Sequence, residues 1–375
     1  MDLSDLTPVL TAEGPFVTVH VGAESAVEQA ADRYDLAWKN VLKEMEARDV
    51  PEPVREAVHG ARGEHSDGAS RLVVASLSSG TVLLSAAVST PPTTDTVEVG
   101  PLPRLLPLLT DVTSRVPHVL VLADRAGADV SAYYDTGRVA GEVTVKGRTL
   151  HLKKVQVGGW AHLHYQHRAE NQWRENAKEI RETAMVLAEQ IGAELVIGVG
   201  DERELTYVKE GLSQPWSERW IELPGGRSED GSEQLVQQRV RDAVALHSAQ
   251  ETLDLLAEFA QERGQVKRAC DGVEDVVAAL RKAQVQTLLL TTDVDQDARL
   301  FYGPEPAVLG TTRDEVTALG AESLQEGPLV DVLVRAAIGT GADVHLVPHE
   351  PKQAPNGGVG AILRYADEDN AAARA

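Results

Sequence analysis

The sequence of 375 residues has little cysteine, few aromatic residues and no long apolar run. Its single cysteine, Cys270, excludes an internal disulfide, which is typical of a reducing compartment, and we expect it to be a small buried side chain rather than a nucleophile. No segment approaches the roughly 20 apolar residues of a membrane span, and the first residues lack a basic and apolar secretory signal. We therefore expect a cytoplasmic protein with no membrane partner.

Positive charge is also scarce, because 36 Lys and Arg stand against 58 Asp and Glu, a net charge of −22. This balance excludes the broadly basic surface of a typical DNA-binding protein, and we expect no DNA partner. The acidity equally fits a general adaptation to solubility or salt. With 42% hydrophobic and 25% charged residues, the chain has the composition of soluble globular domains.

The hydrophobic periodicity predicts alternating helices and strands, and hence an α/β (α+β) fold. The length exceeds the size of a single core, which favours two or three domains. We predict an N-terminal α/β domain (1–116), a central mixed-sheet domain with a long helix (117–264), and a C-terminal α/β/α sandwich with a polar tail (265–375). In the last domain we expect a loop through Tyr302-Gly303-Pro304 and a final strand Val359–Tyr365.

One segment reverses the charge of the chain. Residues 145–181 hold eight Lys/Arg and three Glu, a local charge of +5, so the remainder carries −22 − 5 = −27. Gly158 and Gly159 allow close backbone approach to a ligand. The cations before them suit phosphate, and the rings after them can stack on unpaired bases. These residues are Lys146, Arg148, Lys153, Lys154, Trp160, His162, His164 and Tyr165. The segment favours RNA binding only slightly over a hairpin tip followed by a solvated helix.

Other chemistries find weaker support. His162, His164 and His167 lie within six residues, but no Cys or His-Glu-x-x-His pattern completes a metal site, so metal binding is the minor alternative. Gly198-Val199-Gly200-Asp201 lacks the third glycine of a dinucleotide fingerprint, which favours a tight turn with Asp201 as a helix cap. There is no Gly-x-Ser-x-Gly elbow. We expect neither a cofactor nor a metal.

Two stretches resemble a known family. Residues 158–170, Gly-Gly-Trp-Ala-His-Leu-His-Tyr-Gln-His-Arg-Ala-Glu, with the following helix and strand Leu195–Val199, resemble the central domain of archaeo-eukaryotic class I release factors. There a Gly-Gly-Gln loop precedes a basic helix. Residues 333–337, 341–344 and 357–365 resemble the third domain of those factors and of Pelota. The two matches occur in the family order over about 118–365. The bacterial branch of this Pelota-like family includes Balon-type ribosome hibernation factors, and the chain resembles their actinobacterial relatives.

The resemblance implies a three-domain ribosome-binding protein that occupies the A site of the 70S ribosome and silences translation. Gly158, Gly159 and Trp160 would then form the loop that reaches the peptidyl-transferase centre. Contacts with 23S rRNA would come from the cations and histidines of the segment, Lys146, Arg148, Lys153, Lys154, His162, His164, Arg168 and Arg174. In bacteria the resemblance implies elongation factor Tu as the delivery partner.

Trp160 stands where the family has the glutamine that helps to place water at the peptidyl-tRNA ester. An indole offers one N–H donor and no acceptor, so it does not reproduce both hydrogen bonds of an amide. Occupancy without hydrolysis is therefore our main hypothesis, and no catalytic residue is assigned. The N-terminal domain lacks an Asn-Ile-Lys-Ser-like codon-reading signature. The alternatives are a divergent peptidyl-tRNA hydrolase that rescues stalled ribosomes, and a stress-linked scaffold that no longer meets the ribosome.

Overall fold

A computed structural model describes most of the chain and confirms the α/β fold class. It describes residues 6–23, 30–63, 69–112, 116–124, 127–134, 139–146, 160–226, 233–264, 268–295, 297–321, 323–347 and 354–366, without the side chains of 160–172 and 233. Contacts divide the chain into two compact units, one of residues 114–251 and one that combines 2–113 with 252–375. The predicted domain boundaries at residues 116 and 264 stay predictions.

The first unit is built on a five-stranded mixed sheet of order β7-β6-β5-β8-β9. β5 runs parallel to β8, β8 runs parallel to β9, and β6 lies antiparallel between β5 and β7. The strands are β5 (His118–Asp124), β6 (Gly127–Tyr133), β7 (Val139–Lys146), β8 (Leu195–Gly200) and β9 (Trp220–Leu223). The mixed sheet and the strand Leu195–Val199 expected from the sequence are confirmed.

Helices cover both faces of this sheet. On one face, α5 (Trp160–Ile191) and α6 (Glu202–Lys209) pack on the strands through small and branched side chains such as Ala184 and Val208. On the other face, Val236 and Val240 of α7 (Glu233–Gly264) pack against residues of β8. Because both faces are buried, β8 reads as a continuous apolar run rather than an alternating one.

The second unit contains two larger sheets. The first, of order β3-β2-β1-β4, is antiparallel. Its core joins the sheet to two helices through Trp38, Met45 and Val58. The elements of this part are α1 (Thr7–Thr11), β1 (Phe16–Gly22), α2 (Ala30–Ala47), α3 (Glu52–Gly60), β2 (Ser70–Ser76), β3 (Val82–Val88), β4 (Thr96–Gly100) and α4 (Leu106–Val112).

The second sheet, β10-β16-β11-β15, carries the C-terminal core. β11 is parallel to β15 and antiparallel to β16. α10 is buried along nearly its whole length, and Cys270 is buried as expected. The elements are β10 (Ala269–Asp271), α8 (Val273–Arg281), β11 (Val285–Thr291), α10 (Leu329–Gly339), β15 (Asp343–Val347) and β16 (Val359–Leu363).

The expected loop through Tyr302-Gly303-Pro304 is confirmed at Gly303 and Pro304, but Tyr302 and the residues on either side of the loop belong to strands. The structure forms a three-stranded antiparallel sheet there, with β12 (Arg299–Tyr302), β13 (Leu309–Gly310) and β14 (Gln325–Pro328), and a helix α9 (Arg313–Ala318). Strands of two to four residues are too short to show an alternating pattern. The last strand also ends at Leu363 rather than at Tyr365.

Among the described residues, none of the helices combines the length and apolar character needed to cross a membrane.

Candidate nucleic-acid interface

The basic segment leaves the central sheet at the end where three of its strands finish. β5, β7 and β8 point the same way, and their last residues are Asp124, Lys146 and Gly200. In the strand register Lys146 lies opposite Gly127, which lies opposite Asp124. The chain between Lys146 and Trp160 therefore begins at the end of the sheet where β5, β7 and β8 finish.

The helix that follows is much longer than the sheet it covers. A seven-residue strand such as β5 spans about 23 Å, whereas the 32 residues of α5 span about 48 Å. The α5 side chains known to pack in the core run from Ala177 to Ile191. Trp160 precedes Ala177 by 17 residues, about 26 Å of helix. Since α5 ends near the start of β8, its first residues lie toward the end of the sheet where β7 ends.

The structure places some of the predicted site residues on this framework. Lys146 is the exposed last residue of β7, and Arg174 is exposed on α5. Trp160, His162, His164 and Arg168 lie on the first part of α5, where only the backbone is described. Five others lie outside the described residues: Arg148, Lys153, Lys154, Gly158 and Gly159.

Cations on the described part of α5 also have contacts within the protein. The Arg174 guanidinium lies 5.5 Å from the ring centroid of Tyr207 on α6, a cation–π geometry. Lys178 Nζ is 3.7 Å from a carboxylate oxygen of Glu182, and both side chains are about two-thirds exposed. Such an exposed pair contributes at most about 1 kcal/mol, so Lys178 stays available to an external anion.

Two glycines of β8 have a packing role. A Cβ on Gly198 would lie 2.4 Å from the Trp220 ring, and one on Gly200, whose φ is +155°, would lie 2.1 Å from the Ala123 carbonyl oxygen. The Asp201 side chain accepts a hydrogen bond of 3.0 Å from the Arg203 backbone N–H and caps α6. The prediction of a tight turn with a helix cap is confirmed.

Sequence reasoning missed a second group of polar side chains in the same unit. Glu194, just before β8, lies with His247 and Glu251 of α7, and one ligand-type atom of each residue lies within 4.8 Å of the other two. Burial, followed by the neighbouring Glu251 carboxylate, raises the pKa of Glu194 to about 7. The only local signal was the four-residue spacing of His247 and Glu251, since Glu194 is distant in sequence.

Comparison with known proteins gives two kinds of relatives. An uncharacterized protein of Mycobacterium tuberculosis is 27% identical over 365 residues, which cover 96% of this chain and 95% of the relative. Among solved structures, Archaeoglobus fulgidus Pelota is 14% identical, with a TM-score of 0.34 and coverage of 80% of each chain. Dom34 of S. cerevisiae, a translation termination-like factor, is 10% identical, with a TM-score of 0.41 and coverage of 80% of this chain and 82% of its own.

The central segment has a match of its own. Residues 117–265 match the family described as bacterial archaeo-eukaryotic release factor family 2. The matched segment contains all five strands of the central sheet, the long helix α5 and the whole basic segment. The central segment of the chain is thus similar to this bacterial release-factor family.

Proposed function

We propose that this protein is a cytoplasmic ribosome-binding factor that occupies the A site of the 70S ribosome and silences translation without hydrolysing peptidyl-tRNA. The observation that carries the proposal is the family match over residues 117–265, which includes the basic segment. In this proposal Gly158, Gly159 and Trp160 reach the peptidyl-transferase centre. The phosphates of 23S rRNA are contacted by Lys146, Arg148, Lys153, Lys154, Arg168 and Arg174, with His162 and His164 beside them.

The shape of the central unit supports this role. The 32 residues of α5 make a helix about 48 Å long, which suits a loop that must enter a narrow RNA-lined site. The segment carries +5 in a chain of −22, so the rest of the surface repels RNA and the segment defines the contact.

The chemistry of position 160 separates silencing from hydrolysis. A side-chain amide both donates and accepts hydrogen bonds, whereas the Trp160 indole only donates. Water at the ester would therefore lack the acceptor that orients it. Peptidyl-tRNA bound beside the loop stays intact in this proposal.

The test has two steps. Purified protein should co-sediment with 70S ribosomes at low salt, and failure to do so would end the proposal. Peptide release from stalled complexes is then measured for the native protein and for Trp160→Gln. We expect no release by the native protein and new or increased release by Trp160→Gln. Tyr165→Gln is the matched control, because it adds an amide outside the motif position and should release nothing.

A divergent peptidyl-tRNA hydrolase gives the opposite result. The native protein would then release peptide through water held by backbone N–H groups of the glycine loop, and Trp160→Gln would change the rate little. Delivery by elongation factor Tu is a separate part of the proposal. It predicts that the GTP form of that factor increases ribosome occupancy by this protein at limiting concentration.

A further inference from the structure

Glu194, His247 and Glu251 form what we term the acid–imidazole cluster. One ligand-type atom of each side chain lies within 4.8 Å of those of the other two, and His247 Nε2 is 3.6 Å from Glu251 Oε1. Glu194 directly precedes β8, whereas His247 and Glu251 lie one turn apart on α7. The cluster thus joins the start of a central strand to the helix that covers it.

Two basic groups, His247 and Arg219, act electrostatically on Glu194. The Nε2 atom of His247 is shielded from solvent and has no hydrogen-bond partner, although it lies 3.6 Å from Glu251 Oε1. The nearby Arg219 donates a hydrogen bond of 3.0 Å to the Ala193 carbonyl and lies 5.5 Å from the ring centroid of Trp216. Two crowded carboxyl groups and an imidazole nitrogen without a hydrogen bond are groups that a metal cation would satisfy together.

We propose that the acid–imidazole cluster binds one divalent transition-metal ion, with zinc as the best match. One imidazole nitrogen and two carboxylate oxygens suit zinc, whereas magnesium and calcium prefer sites of oxygen alone. Ligand bonds of about 2.0–2.2 Å require the three atoms to approach more closely than 4.8 Å, which rotation of the Glu251 side chain, 45% exposed, allows. The bound ion ties α7 to the start of β8 and leaves one coordination position for water.

The test uses the full-length protein after treatment with EDTA and titration with ZnCl2. We expect one zinc ion per chain and a higher melting temperature in its presence. Loss of a residue that only hydrogen-bonds to a metal ligand typically lowers metal affinity roughly 10- to 100-fold. Glu194→Gln and His247→Ala remove ligands themselves, so each should lower zinc affinity by at least this factor. Glu251→Gln alters the most exposed side chain of the three and serves as the variant least able to disturb folding, which circular dichroism checks.

Two controls separate this site from others on the chain. Glu258→Gln removes an exposed carboxylate from α7 outside the cluster and should leave zinc affinity unchanged. His162→Ala with His164→Ala removes two histidines of the basic segment and should also leave it unchanged. Three results would overturn the proposal. They are no zinc binding at micromolar concentration, zinc binding that survives Glu194→Gln, His247→Ala and Glu251→Gln, and zinc binding that is lost only when His162 and His164 are replaced. In the first case the two carboxyl groups share a proton instead.

Discussion

Arg104 joins two carboxyl groups in the second unit, and one of them is almost completely buried. Its Nη1 donates a hydrogen bond of 3.2 Å to Asp331 on α10, and its Nε lies 2.8 Å from Glu98 on β4. The Asp331 side chain is 3% exposed. Burial raises the pKa of Asp331 to about 7, because the loss of hydration outweighs the attraction of Arg104.

This raised pKa predicts how stability depends on pH. The folded state holds the Asp331 proton more tightly than the unfolded state, whose pKa is near 3.8, so the stabilisation is complete below about pH 4 and is lost as pH rises through 7. Asp331→Asn cannot ionise. We expect the free energy of unfolding of Asp331→Asn, relative to the native protein, to rise by up to about 4 kcal/mol between pH 4 and pH 8.

Urea denaturation at a series of pH values measures the difference in the free energy of unfolding between Asp331→Asn and the native protein. A difference that stays constant with pH would contradict the raised pKa. A difference that falls as pH rises would show that the ion pair with Arg104 dominates, since the ionised carboxylate would then be the more stable form in the fold.

At the scale of elements, buried apolar side chains in the second half of the long helix α5 hold it on the sheet. Ile180 is 2% exposed within the core of the first unit, whereas Val186 on the same helix is 55% exposed. Ile180→Ala removes buried methyl and methylene groups and should destabilise the protein by about 2–5 kcal/mol. Val186→Ala changes a solvated position and should alter stability by less than about 0.5 kcal/mol.

Chemical denaturation of both variants measures the two effects, and the ribosome assay extends the comparison. If α5 must be held on the sheet to present the basic segment, Ile180→Ala should weaken ribosome binding at denaturant concentrations near the unfolding midpoint of that variant. Val186→Ala should leave ribosome binding unchanged at the same concentrations. Equal effects of both substitutions on stability would contradict the packing of α5 described above.

The elements also show what a sequence can predict. The strand expected at Leu195–Val199 and the long helix before it are present as β8 and α5, because an apolar run and a helical repeat of apolar residues each leave a local pattern. The three-stranded sheet around Tyr302 was missed because its strands are short and β12 pairs with a partner distant in sequence, with Phe301 opposite Glu326. The acid–imidazole cluster was missed for the same reason, since Glu194 meets His247 only in the folded chain. The basic segment was identified because charge and glycines are local signals.

At the scale of the whole molecule, the distribution of charge matters more than its sum. The protein carries −22, and residues 145–181 carry +5. Screening at physiological salt limits the effect of an exposed charge to about 8 Å. A phosphate against the basic segment therefore responds mainly to the cations nearby and little to carboxylates on distant surfaces.

This distribution predicts the outcome of two matched charge reversals. Lys153→Glu with Lys154→Glu lowers the charge of residues 145–181 from +5 to +5 − 4 = +1, and that of the protein from −22 to −22 − 4 = −26. Arg33→Glu with Lys39→Glu makes the same change in net charge at two exposed positions of α2. Ribosome affinity is measured for each protein over a range of salt concentrations.

If the basic segment contacts rRNA, the native affinity falls steeply with salt, since each neutralised single-strand phosphate contributes roughly −0.7 to the slope of log K against log salt. Reversal of Lys153 and Lys154 should then weaken binding at low salt and make the slope shallower by about 1.4, the contribution of two phosphates. Reversal of Arg33 and Lys39 should change neither quantity. Equal weakening by both pairs would mean that binding follows net charge alone, and the assignment of the basic segment as the RNA contact would then be wrong.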